Sequence, residues 1–62
     1  METSLRKDDL LVIREHGGQQ TIVSVHPWDH GKGTMLAVEE AAELFAHSGI
    51  KHVVAEVKLV YR

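Results

Sequence analysis

The sequence predicts an α+β domain of element order β-β-α-β, with a three-stranded, mainly antiparallel sheet in order 2-1-3 and one helix packed on one face. Three observations predict it. Two β-branched runs are separated by a double glycine, the middle of the chain carries apolar residues at helical spacing, and the end is a valine-rich alternating run.

Leu10-Leu11-Val12-Ile13-Arg14-Glu15-His16 is the first strand, Gly17-Gly18-Gln19 signals a turn, and residues 20–26 form the second strand, so the two make a hairpin. Pro27 has no N–H to pair, and residues 27–33 have the glycine and aspartate content of a loop. From about Thr34 the period changes. Val38, Ala41, Ala42 and Phe45 recur at helical spacing with Leu44 beside them, while Glu39, Glu40, Glu43 and His47 fall on the other side. Thr34 suits the N-cap, and Gly49 suits the left-handed position that ends a helix, after which Ile50 is expected to fold back onto Phe45. Residues 51–62 form the longest expected strand, with Val53, Ala55, Val57, Leu59 and Tyr61 on the face that meets the helix, so that Phe45 and Val57 belong to the core. The crossover helix makes the third strand antiparallel to the first if they are neighbours. Order 1-2-3 would instead pair strands two and three in parallel, which short α+β domains use less often.

Length and composition bound the function. A chain of 62 residues buries only about 60% of the surface its unfolded form exposes, and without cysteine it has neither a disulfide nor a thiolate zinc site to reinforce it. Association, or a His/Asp metal site, is the reinforcement left. Seven Lys plus Arg against nine Asp plus Glu give a net charge of −2, which supplies no basic field for phosphate backbones, so general nucleic-acid binding is not expected. The first nine residues lack the apolar core of a signal peptide and no apolar run reaches the length of a membrane span, which makes the cytoplasm the expected compartment. The chain reads as one complete domain over residues 1–62, with 1–8 as a flexible N-terminus.

One helix covers one face of a three-stranded sheet. With Leu11, Ile13, Val23 and Val25 assigned inward, the opposite face carries Leu10, Val12, Ile22, Val54 and Val60 among Arg14, Ser24, Glu56 and Lys58. Apolar surface left in water forgoes roughly 25 cal/mol per Å². A homodimer through Leu10, Val12, Ile22, Val54 and Val60, or through the sheet edge, is therefore expected.

Five histidines are many for this length. The topology puts His26, Asp29 and His30 at one end of the sheet near Asp8 and Asp9, with His16, His47 and His52 at the other. His26, Asp29 and His30 are candidate zinc or nickel ligands, although a loop does not force residues four apart onto one side, and exposed structural histidines are commoner. Gly31-Lys32-Gly33-Thr34 precedes a helix, where free amides attract anions, but a phosphate-binding loop needs lysine followed directly by Ser or Thr, and Gly33 intervenes. Trp28, the only tryptophan, is either a binding anchor or a plug for one end of the core. No serine has a local nucleophile signature, and so small a core encloses no pocket, which leaves no catalytic residue and no cofactor to assign.

The helix Val38-Glu39-Glu40-Ala41-Ala42-Glu43-Leu44-Phe45-Ala46, the glycine turn and the strand Val53-Val54-Ala55-Glu56-Val57-Lys58-Leu59-Val60-Tyr61 give residues 34–62 a look that resembles short proteins encoded by bacteriophages and other mobile elements. That resemblance implies an inhibitor of a host system, of which anti-CRISPR proteins are one kind. The expected function is a non-enzymatic interaction module that docks on a host protein complex through Trp28, Asp29, His30 and Lys32 or through Glu39, Glu40 and Glu43. The rival is an oligomeric binder of metal or small anions, using the histidine-rich ends or the helix start at Gly31 to Thr34.

Overall fold

The structure is a computed structural model and describes residues 5–58. Strand β1 (Leu10–His16) turns through Gly17 and Gly18 into β2 (Gln19–His26), a loop leads into α1 (Lys32–Ser48), and β3 (Lys51–Glu56) follows. The sheet order is β2-β1-β3, with β1 antiparallel to both neighbours. This is the predicted small β-β-α-β architecture.

Local chemistry explains the elements. A two-residue hairpin whose strands twist normally needs positive φ at both turn positions, and Gly17 (φ 60) and Gly18 (φ 78) supply it without a Cβ penalty. Between Val12 and Ile13 the register slips, so that Val12 faces Ser24 while Ile13 faces Ile22, leaving Val23 as the extra residue of a bulge. Helix α1 begins at Lys32 with Gly31 as its N-cap, three residues before the expected cap Thr34, and no side chain bonds the first amides. Gly49 ends it as predicted, its N–H donating to the Phe45 carbonyl at 2.8 Å. Strand β3 stops at Glu56 rather than running on, although Val57 still exchanges backbone bonds with the turn at residues 6–9: Asp8 N donates to Val57 O (2.8 Å), and Val57 N to Asp9 O (2.9 Å). The expected strand positions Leu59, Val60 and Tyr61 lie outside the described residues.

The inward faces of β1 and β3 are the reverse of those expected, whereas Val23 on β2 and Ala41 and Leu44 on the helix pack inward as expected. Leu10 and Val12 are buried against Ala37 and Ala41, with Val23, Leu44 and Val54 packed partly around them. Val12 is fully enclosed at 0% exposure. Because directly paired residues share a face, Val12 carries Val54 and Ser24 to the helix side, and Leu11, Ile13, Val25, Val53 and Ala55 go to the other. The helix turns its small residues inward. Gly33, Ala37 and Ala41, spaced four apart, form a ridge with almost no bulk, and Leu10 and Val12 occupy the space this leaves. At Gly33 the fit is backbone against backbone, since a Cβ there would lie 2.0 Å from the Pro27 carbonyl oxygen. Such a groove has no room for Phe45, which is 56% exposed instead of in the core, and Val57 lies off the helix face as well. Leu10, Val12 and Val54 accordingly leave the expected dimer surface, where Ile22, 52% exposed, stays. Val60 is outside the described residues.

Candidate functional site

The loop between β2 and α1 is held in an unusual shape. Asp29 (φ 45), His30 (φ 54) and Gly31 (φ 88) form a left-handed turn, and the two that are not glycine each cost roughly 1–2 kcal/mol of backbone strain. The carbonyl of Trp28 accepts from the amides of Gly31 and Gly33, both at 3.0 Å, and the Lys32 amide donates to Asp29 O. These bonds fix the loop against the first turn of α1 and present Trp28 at 49% exposure, its ring centroid 5.4 Å from that of His30. Trp28 is thus no plug of the core. The same bonds use up the amides of Gly31, Lys32 and Gly33, which leaves the helix start at Gly31 to Thr34 without the cluster of free donors that an anion site requires.

His26 does not join His30. Its Nε2 lies 2.6 Å from Glu40 Oε1, and the hydroxyl of Ser24 donates to the same oxygen at 2.5 Å. A carboxylate only accepts, so Nε2 carries a proton. Ser24, His26 and Glu40 therefore tie the edge strand β2 to the helix. They do not form a nucleophile relay, in which the imidazole would bridge acid and hydroxyl with its two different nitrogens, because here one nitrogen faces both. The Ser24 hydroxyl, then His26, hold the Glu40 carboxyl below its ordinary value of 4.5. Among the described residues no three His, Asp or Glu side chains gather in a metal-binding group, and the candidates His26, Asp29 and His30 are divided between the clasp and the loop.

At the opposite end, His52 Nδ1 donates to the Ile50 carbonyl at 2.7 Å, which leaves Nε2 to accept from Arg14 Nε at 3.4 Å. His16 and His47 are exposed and enter no side-chain bond with it. Around the hairpin turn, Glu15 pairs with Lys51 (3.1 Å) and accepts from Gln20 (2.7 Å), which lowers its carboxyl pKa, the Lys51 hydrogen bond first.

The outer side of α1 carries Val38, Ala42 and Phe45, which the sequence reading placed inward, together with Met35, which it left unassigned. Met35, Val38, Ala42 and Phe45, spaced three, four and three apart, share the solvent face, and Met35, Val38 and Phe45 are each more than half exposed. Lys32, Leu36, Glu39 and Glu43 form one flank of this stripe by their spacing of four, three and four. Of the expected acidic contact residues, Glu39 and Glu43 are exposed there, whereas Glu40 is turned to the sheet. The 3.6-residue signal for a second stripe was present in the sequence. It was read as one broad core face because Ala41 and Ala42, adjacent in the chain, were assigned to the same side. No helix among the described residues is long and apolar enough to cross a membrane. Comparison with protein families, curated proteins and solved structures finds no match to this chain.

Proposed function

We propose that this chain is a non-enzymatic interaction protein that docks a larger protein through the outer face of α1. The observation that carries this reading is the stripe Met35, Val38, Ala42 and Phe45, since a helix that lays such a row into an apolar groove is a recurring mode of recognition. Trp28, held at the N-terminal end of the helix by a strained but well-bonded loop, supplies an anchor of the type that dominates binding energy. Glu39 and Glu43 on the flank favour a groove with a basic rim, and Asp29, His30 and Lys32 orient the anchor. The resemblance of residues 34–62 to short phage proteins adds the finer proposal that docking inhibits a host complex in the cytoplasm.

Capture from cell lysate with the parent chain and with a Val38→Glu, Phe45→Ser variant, followed by binding measurements on the purified partner, tests this reading. The variant is expected to lose the partner while melting as a folded domain, and Trp28→Ala to weaken binding at least about tenfold, the effect of an ordinary hot-spot residue. A partner held equally by parent and variants removes the helix face from the contact.

A further inference from the structure

We propose that the sheet face opposite α1, which no described helix or strand covers, is a self-association surface, on which a second copy of this chain seats the same face to give a four-layer helix-sheet-sheet-helix dimer. Its centre is the half-buried Leu11 and Ile13 on β1, Val25 on β2 and Val53 and Ala55 on β3, with the exposed Ile22 beside them, brought to one side by the register of both strand pairs. An open groove of about 420 Å³ lies beside it, lined by Leu5, Ile22, Val23, Ser24 and Val25.

Three arguments select a second copy as the occupant. The first is the thinness of the core: among the described residues only Leu10, Val12, Ala37 and Ala41 are buried hydrophobics, and two of those are alanines. A domain this poorly filled needs its second face covered whenever it is folded, and another copy is the partner made at the same time and place. The second is charge. Among the described strand residues, ionised groups on this face are confined to the hairpin end, where Glu15 and Lys51 neutralise each other, so these strands set up no field that would select an acidic or basic partner, and like apolar surface meets like across a two-fold axis. The third is area. Three strands about 4.8 Å apart and about six residues long offer a patch of about 15 by 20 Å, so two such patches bury roughly 600 Å² in projection and somewhat more with their corrugation, in the range of a weak, concentration-dependent association. Twisted sheets pack in this way at a separation of about 10 Å. The stripe on α1 is a single row, too narrow for that area, and antiparallel pairing of two copies would set Glu39 against its own counterpart.

This proposal concerns a different face from the one assigned to the larger partner, so each can fail alone. Sedimentation equilibrium across the micromolar range, joined to isotope-filtered NMR on mixed labelled and unlabelled chains, tests it on the unaltered protein. The expected result is twice the chain mass, with cross-chain contacts among the methyl groups of Leu11, Ile13, Val25 and Val53. A monomer at every concentration, cross-chain contacts from Met35 and Val38, or backbone pairing along a strand edge each overturns it. Ile13→Lys is expected to raise the dimer dissociation constant at least about tenfold, and Phe45→Ser to leave it unchanged. A lysine there can also unfold so thin a domain, and the filtered spectra of the parent chain then carry the test.

Discussion

At the residue scale, two positions have effects opposite to their usual sign or unseen in the sequence. Replacing glycine by alanine inside a helix ordinarily gains about 1 kcal/mol. At Gly33 the new Cβ would meet the Pro27 carbonyl at 2.0 Å, where neither backbone can yield cheaply, so Gly33→Ala is expected to destabilise by about 2 kcal/mol or more in chemical denaturation. A gain would mean that the loop does not press on the helix. Glu40 was expected on the outer helix face, as a partner-contacting acid beside Glu39 and Glu43. In the structure it accepts from Ser24 and His26, and no local pattern announces such a clasp, because it joins residues 16 and 14 apart through tertiary packing. Its carboxyl is held below 4.5, so the folded state binds fewer protons than the unfolded state as the pH falls toward that value. The stabilisation is complete above about pH 4.5 and is lost as the pH drops through the folded-state value. Glu40→Gln should therefore flatten the acid limb of the stability profile as the pH falls through and below about 4.5, leaving the part due to Glu15. An unchanged profile would show that the clasp is not formed in solution.

At the scale of elements, order and the glycine-marked ends were legible, but the helix start, the end of β3 and the faces were not. Gly17-Gly18 and Gly49 marked the turns because positive φ is a local requirement, and strand order followed from the crossover. Facing failed because both alternations of β1 are apolar: Leu10 and Val12 on one side, Leu11 and Ile13 on the other, with Val54 and Val53 repeating the ambiguity in β3. A one-residue choice is silent in such strands. The helix decides it by shape, since the ridge of Gly33, Ala37 and Ala41 approaches closely where a ridge of Val38 and Phe45 could not. A pair of variants tests the orientation. Ala37→Leu should cost about 1–3 kcal/mol by overpacking a position with no exposure, whereas Phe45→Ala should stay within about 1 kcal/mol. Tolerance at Ala37 together with a severe loss at Phe45 would turn the helix around.

At the scale of the whole molecule, the question is what keeps the chain folded when so few side chains are enclosed among the described residues. A domain of this length has on the order of 3–9 kcal/mol in hand, and truncating a buried leucine costs about 2–5 kcal/mol. Among the described residues Leu10 is one of four buried hydrophobics, in contact range of the Gly33 turn as well as in the cluster with Val12, Ala37 and Ala41, so the described core has no redundancy around it. Leu10→Ala is thus expected to abolish cooperative melting of a dilute monomer. If the uncovered sheet face is buried against a second copy, mass action couples folding to association, and raising the concentration of Leu10→Ala should restore a cooperative transition whose midpoint climbs with concentration. The parent chain should show the same climb from a higher starting point. Calorimetry over a hundredfold range of concentration separates the cases: a midpoint independent of concentration in both proteins would mean that the described core suffices alone, and the large cost assigned to Leu10 would then have to appear as an ordinary downward shift of the monomer's melting temperature.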